Sequence, residues 1–159
     1  MQNKDLRILV VDDDKHLADN MVAYLNTLGY QAVAAYGGHD GLAKFRQGDF
    51  HLVITDLMMP EMDGIALLEA LKALDRRVVI MVITGYGTIE SAVKAMKKGA
   101  FDFIPKPVKL DELEVIIGRA VERHTLAAQL NLFRGLTLAL ILSVPVWLIL
   151  GIIIAIFWK

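Results

Sequence analysis

The alternation of apolar and polar positions divides the chain into two regimes. From residue 5 to 118, short β-rich runs alternate with longer stretches in which apolar residues recur at helical spacing. The runs LRILVV (6–11), QAVAA (31–35), HLVIT (51–55), VVIMVIT (78–84) and FDFI (101–104) predict strands. Several are almost continuously apolar, as strands buried on both faces of a parallel sheet are. Helices are predicted over 16–28, 38–47, 64–73, 88–98 and from 110 onward, the fourth carrying Ala92, Val93 and Met96 at helical spacing. Gly29, Gly48 and Gly99 each follow a predicted helix, where a left-handed cap is expected. Five strand–helix repeats in a row predict an α/β fold, a doubly wound five-stranded parallel sheet with right-handed crossovers.

The second regime is the tail. Leu136 to Phe157 is a run of 22 residues without a charge, about 33 Å long as a helix and enough to cross the hydrocarbon core of a bilayer. Burying such a helix all round inside protein would take a second domain, and 159 residues hold one ordinary domain of roughly 100–150 residues plus an appendage. The expected organisation is a globular domain over 1–122, a helical linker over 123–134 and one C-terminal transmembrane helix within an anchor over 135–159. Arg119, Arg123 and Arg134 precede the run and only Lys159 follows it, which predicts a single pass of the inner (cytoplasmic) membrane with the globular domain in the cytoplasm. Pro145 predicts a kink. Gly135, Ala139, Ser143, Gly151 and Ala155 recur every four residues, with Trp147 in the gap, a small-residue face that permits a homodimer.

Composition sharpens this division. The hydrophobic fraction of 55% and mean hydropathy of +0.48 owe their excess to the tail. Before residue 135 stand 16 basic against 18 acidic residues, a formal charge of −2; such a chain has no basic field for nucleic acid. It has no cysteine, which excludes disulfides and thiolate chemistry. The first apolar run is too short for the core of a secretory signal.

In doubly wound sheets, ligands bind outside the carboxyl ends of the strands. There the sequence places Asp12 and Asp13 after the first strand, Asp56 after the third, Thr84 after the fourth and Lys106 after the fifth. Three carboxylates converging on one crevice repel one another unless a hard cation, Mg²⁺ in particular, sits among them. Together with a lysine and a hydroxyl, such an ion makes a clamp for phosphoryl oxygens, and a carboxylate aimed at the clamp can become an aspartyl phosphate. Taken singly, each residue also has a plainer reading: an acidic loop, a turn-capping threonine, a surface lysine. Asp14 suits a helix N-cap. Met58, Met59 and Met62 suit loop packing, and His16, His39, His51 and His124 lack ligand spacing.

VVDDD (10–14), TDLMMPEMDG (55–64), TGYGT (84–88) and DFIPKP (102–107) together resemble the receiver domain of bacterial two-component response regulators, over roughly residues 5 to 122. The stretch GYGTIESAVKAMKKGAFDFIPKP is similar to receivers of the nitrogen-regulation type. The resemblance implies a flavodoxin-like sheet of order 2-1-3-4-5. It implies that Asp56 accepts a phosphoryl group from a sensor histidine kinase or phosphotransfer protein. Mg²⁺ would be held by Asp13, Asp56 and the main-chain carbonyl of Met58, with Asp12 orienting its water shell. Lys106 would pair with the phosphoryl group and Thr84 would swing to hydrogen-bond it. Phe103, where many relatives carry tyrosine, would follow Thr84 inward and repack the face of the fourth helix, fifth strand and fifth helix. The Lys106–Pro107 bond is expected to be cis.

The expectation is a membrane-anchored, stand-alone phosphoacceptor rather than a turnover enzyme. Its expected partners are the kinase, membrane lipid and an output protein at the membrane. The alternative is a membrane-bound phosphate sink or relay without its own output. A rival from the enzymes starts from Asp12 and Asp14, whose spacing resembles the opening motif of haloacid-dehalogenase-like phosphatases; His16 replaces the usual threonine or valine, and no later acidic pair or cap domain follows.

Overall fold

The computed structural model describes residues 6–85, 87–108 and 113–120. Five strands, β1 (Arg7–Val11), β2 (Gln31–Ala35), β3 (Leu52–Thr55), β4 (Val79–Thr84) and β5 (Asp102–Pro105), alternate with α1 (Lys15–Thr27), α2 (Gly38–Gln47), α3 (Gly64–Leu74) and α4 (Ile89–Lys97). Residues 113–120 are helical. The strands form one parallel sheet in the order β2-β1-β3-β4-β5. This is the expected doubly wound, flavodoxin-like sheet.

Strand alternation sorts the core into two layers. Leu9 and Val11 of β1 join Val53, Ile80 and Val82 under α2, α3 and α4. Ile8 and Val10 join Ile54, Met81 and Ile83 under α1 and the 113–120 helix, which contributes Leu113, Ile117 and Ala120. Because β1, β3 and β4 are covered on both faces, they are buried almost throughout, whereas the edge strands β2 and β5 are half-exposed. That is why their sequences differ from the oily central runs.

Local chemistry sets the helix starts. The Asp14 carboxylate accepts the amides of His16 and Leu17 and starts α1; Asp63 accepts the amide of Ala66 at 2.7 Å and starts α3. Before α4, Thr88 and Ser91 cap each other reciprocally. Gly29 and Gly99 follow α1 and α4 with φ of 88° and 97°, the left-handed conformation only glycine adopts cheaply.

Gly48 departs from expectation: its φ is −137°, ordinary extended backbone. A Cβ there would lie 2.8 Å from the ring of Phe50, so the glycine makes room for an aromatic ring rather than for a turn. On α4 only Ala95 is buried, while Val93 and Met96 are exposed; the apolar spacing marks an outward face, because Ala95 is the residue that meets the sheet. Of the three methionines expected to pack the loop, Met59 is buried and Met62 lies against the core, but Met58 is exposed.

The linker over 123–134 and the anchor over 135–159, with its kink and its dimer face, lie outside the described residues. Among the described residues no helix is long and apolar enough to cross a membrane.

Candidate functional site

The site is assembled by the parallel ladder running one residue beyond the strands. The Asp12 amide donates to the carbonyl of Ala35 at 3.1 Å, the Asp56 amide to that of Val11 at 2.9 Å, and the Lys106 amide to that of Thr84 at 2.8 Å. These bonds fix the backbones of Asp12, Asp56, Thr84 and Lys106 along the carboxyl edge of the sheet.

From β5 the Lys106 ammonium reaches Asp12 Oδ2 at 2.8 Å and Asp56 Oδ1 at 3.1 Å. Each carboxylate gives its other oxygen to a loop amide: Asp12 Oδ1 accepts from Asp14 at 2.9 Å, and Asp56 Oδ2 accepts from Met58 at 2.8 Å. Both aspartates are buried, at 8% and 7% exposure. Carboxylates so placed need a counter-charge, and one ammonium serves both.

Burial alone would pull the Lys106 ammonium down, but its hydrogen bonds and charge attraction to Asp12 and Asp56 outweigh that and hold it above the ordinary lysine value of 10.5. With the folded value raised, this stabilisation is complete below the ordinary value and is lost as pH rises through the raised one. The lysine bridge therefore stands throughout the neutral range.

Asp13 does not join the pair. It is exposed, and among the described residues no three carboxylate or imidazole groups stand together as a ligand set. The expected convergence of three carboxylates is a convergence of two: Lys106 bridges Asp12 and Asp56, which leaves one net negative charge, while Asp13, the next residue along, faces solvent.

Thr84, 1% exposed, ends β4. Phe103 lies one strand over, half-buried against the layer under α3 and α4. Its ring occupies the space where a side chain on residue 87 would be: a Cβ on Gly87 would lie 2.8 Å from Phe103 Cε1 and 3.4 Å from Thr84 Cγ2. Gly87 thus brings the loop before α4 into contact with both residues. The Lys106–Pro107 peptide is cis, as expected.

Two further glycines shape the loop after Asp56, and sequence reading missed both as parts of the site. A Cβ on Gly64 would lie 2.1 Å from the Asp56 carbonyl oxygen, so only glycine lets α3 begin against the backbone of Asp56. Its amide bonds the Leu57 carbonyl at 2.9 Å. Gly38 makes the same allowance for Met62, 2.5 Å from its carbonyl oxygen. Between them Glu61 sits at φ 65°, with the Met62 amide closing onto the Pro60 carbonyl at 2.7 Å, a tight turn that costs about 1–3 kcal/mol. The signal available was a glycine directly after Asp63 at a helix start, where a Cβ is normally harmless.

A hollow of about 560 Å³ opens beside Lys106, walled by Leu17, Met21 and Tyr24 of α1 together with Ile83, Pro107 and Leu113. Its lining is mainly apolar, the methylenes of Lys106 included, with Asn20 among the polar exceptions.

Comparison with known proteins agrees with this geometry. Residues 8–118 match the response regulator receiver domain. The chain is 43% identical over 118 residues to the transcriptional regulatory protein ZraR of Salmonella typhimurium, covering 74% of this chain and 26% of that protein. It is 33% identical over 125 residues to the regulatory protein AtoC of Escherichia coli, covering 79% and 27%. The chain thus spans about a quarter of the length of these curated relatives. A receiver domain protein from Clostridium thermocellum superposes with a TM-score of 0.74 at 31% identity, covering 77% of this chain and 98% of that one. NtrX from Brucella abortus does so with a TM-score of 0.74 at 34% identity, covering 79% and 29%. With a five-stranded sheet of matching order and a lysine-bridged aspartate pair on its carboxyl edge, the chain belongs to the response regulator receiver domain family.

Proposed function

We propose that this chain is a membrane-tethered receiver of the nitrogen-regulation type in which Asp56 takes a phosphoryl group from a phosphohistidine on a sensor kinase or phosphotransfer protein. The observation that carries the reading is the lysine bridge: Lys106 holds Asp56 Oδ1 at 3.1 Å and Asp12 Oδ2 at 2.8 Å. An ammonium already facing the acceptor oxygen is placed to pair with incoming phosphoryl oxygens. In the transfer, the N–P bond of the donor breaks as an Asp56 Oδ–P bond forms. The buried Thr84 hydroxyl, at the end of the neighbouring strand, would then donate to the new phosphoryl group. The apolar hollow beside Lys106 offers the donor protein a surface next to the site.

The residues fit a hydrated Mg²⁺, which keeps several waters and is commonly held by one or two carboxylates plus phosphate oxygens. Asp56, Asp13 and the Met58 carbonyl would hold it, with the buried Asp12 orienting its waters. When bound, the ion spreads the charge that builds on the phosphoryl oxygens.

Output follows from Thr84 and Phe103. A hydroxyl drawn toward phosphate leaves space beside the Phe103 ring, and α4, with Ile89, Val93 and Met96 exposed, is the surface whose partner binding would change. That apolar face favours a switch over a phosphate sink, which needs no such surface. The tether rests on the 22 uncharged residues from Leu136 to Phe157, and Arg119, Arg123 and Arg134 before them against Lys159 after them favour a receiver on the cytoplasmic side of the inner membrane.

Intact-mass measurement after incubation with a small phosphodonor and Mg²⁺ tests the reading. One phosphoryl group is expected on the wild type and none on Asp56→Ala. Persistent labelling of that variant, with loss in Asp12→Ala, would favour the phosphatase chemistry instead. Fractionation of cells should find the full chain in membranes resistant to alkaline extraction. Partner capture that differs with phosphorylation separates the switch from the sink.

A further inference from the structure

The two ends of the sheet carry opposite charge. At the carboxyl end stand Asp12, Asp13, Asp14, Asp40, Asp56 and Asp63, against Lys15, Lys44 and Lys106. At the amino end, where α2, α3 and α4 finish, stand Arg46, Lys72, Arg76, Arg77, Lys97 and Lys98, against Asp49, Asp75 and Asp102, the first residue of β5.

Three contacts join these cations into one rim. A cleft of about 310 Å³ is shared by Arg46 and Asp49 at the end of α2 and by Leu74 and Asp75 at the end of α3. The Lys72 stem lies 3.7 Å from where a Cβ on Gly99 would be, after α4. Lys98 pairs with Glu69 of α3. Arg77 engages Asp75 at 3.2 Å, whereas Arg46, Arg76 and Lys97 are exposed and make no ion pair among the described residues. A helix carboxyl terminus carries roughly half a negative charge, which gives last-turn lysines a local purpose. It accounts neither for Arg76 and Arg77, which lie beyond α3, nor for Leu74, half-exposed beside them.

The described chain ends toward this rim. The 113–120 helix begins near the phosphoacceptor end, where Leu113 shares a wall with Ile83 and Lys106, and packs back along the sheet through Ile117 and Ala120. Fifteen residues, 121–135, separate it from the uncharged run, a reach of at most about 50 Å.

We infer that the cationic rim at the ends of α2, α3 and α4 docks on anionic phospholipid headgroups, keeping the Asp56 end turned away from the bilayer. The inference rests on the membrane-tethered reading. A tether of that reach raises the local concentration of the rim at the surface, where the negative potential of an anionic leaflet attracts each arginine and lysine lying within a Debye length. Leu74 adds an apolar contact at the centre of the rim.

The cysteine-free sequence accepts a single thiol-reactive fluorophore at either end of α2, through Gln47→Cys at the rim or His39→Cys at the phosphoacceptor end. The full chain is reconstituted in nanodiscs of phosphatidylcholine, with or without phosphatidylglycerol, carrying a headgroup quencher. The probe at 47 is expected to be quenched more strongly than that at 39 when phosphatidylglycerol is present. Pure phosphatidylcholine, or Arg46→Glu, Arg76→Glu and Lys97→Glu together, should abolish the difference, while the triple variant still takes phosphate on Asp56. Equal quenching at the two positions, or the same pattern in both lipids, overturns the inference. A chain that stays out of nanodiscs overturns the tether instead, and sedimentation with vesicles then decides the rim. Preference for phosphatidylglycerol that falls by at least about a hundredfold in the triple variant upholds it, and no preference overturns it.

Discussion

Helices α3 and α4 lie on the same face of the sheet and follow neighbouring strands, yet they are held by different means. Five of the eleven residues of α3 are buried, among them Leu67, Leu68 and Leu71 at 0% exposure, and its first residue abuts the Asp56 carbonyl. In α4 only Ala95 is buried, and the helix is organised by its own reciprocal Thr88–Ser91 cap while Ile89, Val93 and Met96 face outward. A wall that fixes the acceptor loop has to be part of the core. An element that is to respond to Thr84 and Phe103, as proposed for α4, has to detach from it at low cost, and local capping in place of burial favours that.

Substitutions should separate the two helices in order of size. Leu68→Ala in α3 leaves a cavity and is expected to cost about 2–5 kcal/mol, seen as a fall in Tm of about 10 °C or more. Gly64→Ala puts a methyl group into the Asp56 backbone and should cost about 1–3 kcal/mol; phosphate uptake measured by intact mass should slow with it, because the acceptor loop must shift. Thr88→Ala should cost about 1 kcal/mol, visible as faster amide exchange over 89–97 with little change in global Tm. Met96→Gln should change stability by less than about 0.5 kcal/mol in a denaturant titration. A loss there matching that of Leu68→Ala would make α4 a core helix and erase the distinction.

Much of this architecture can be read from the chain because its two periodicities are clean. The strand limits fall within one residue of the runs VVIMVIT and LRILVV, since strands covered on both faces leave no polar alternative. The pairing of Asp12, Asp56 and Lys106 follows from their places at three strand ends. What the chain does not spell out depends on contacts between distant segments. Whether a glycine serves φ or space differs between Gly29 and Gly48, and only the neighbour, Phe50, decides it. Likewise nothing local to Asp13 distinguishes it from Asp12. The lysine that selects Asp12 arrives from 94 positions away.

The seat of the Phe103 ring over Gly87 gives genetics a handle on this molecule. A methyl group added at that one position would wedge the aromatic ring from its resting place without any donor, ion or kinase. Under the proposed switch, whatever a cell then does differently would report the output of the receiver, uncoupled from its input.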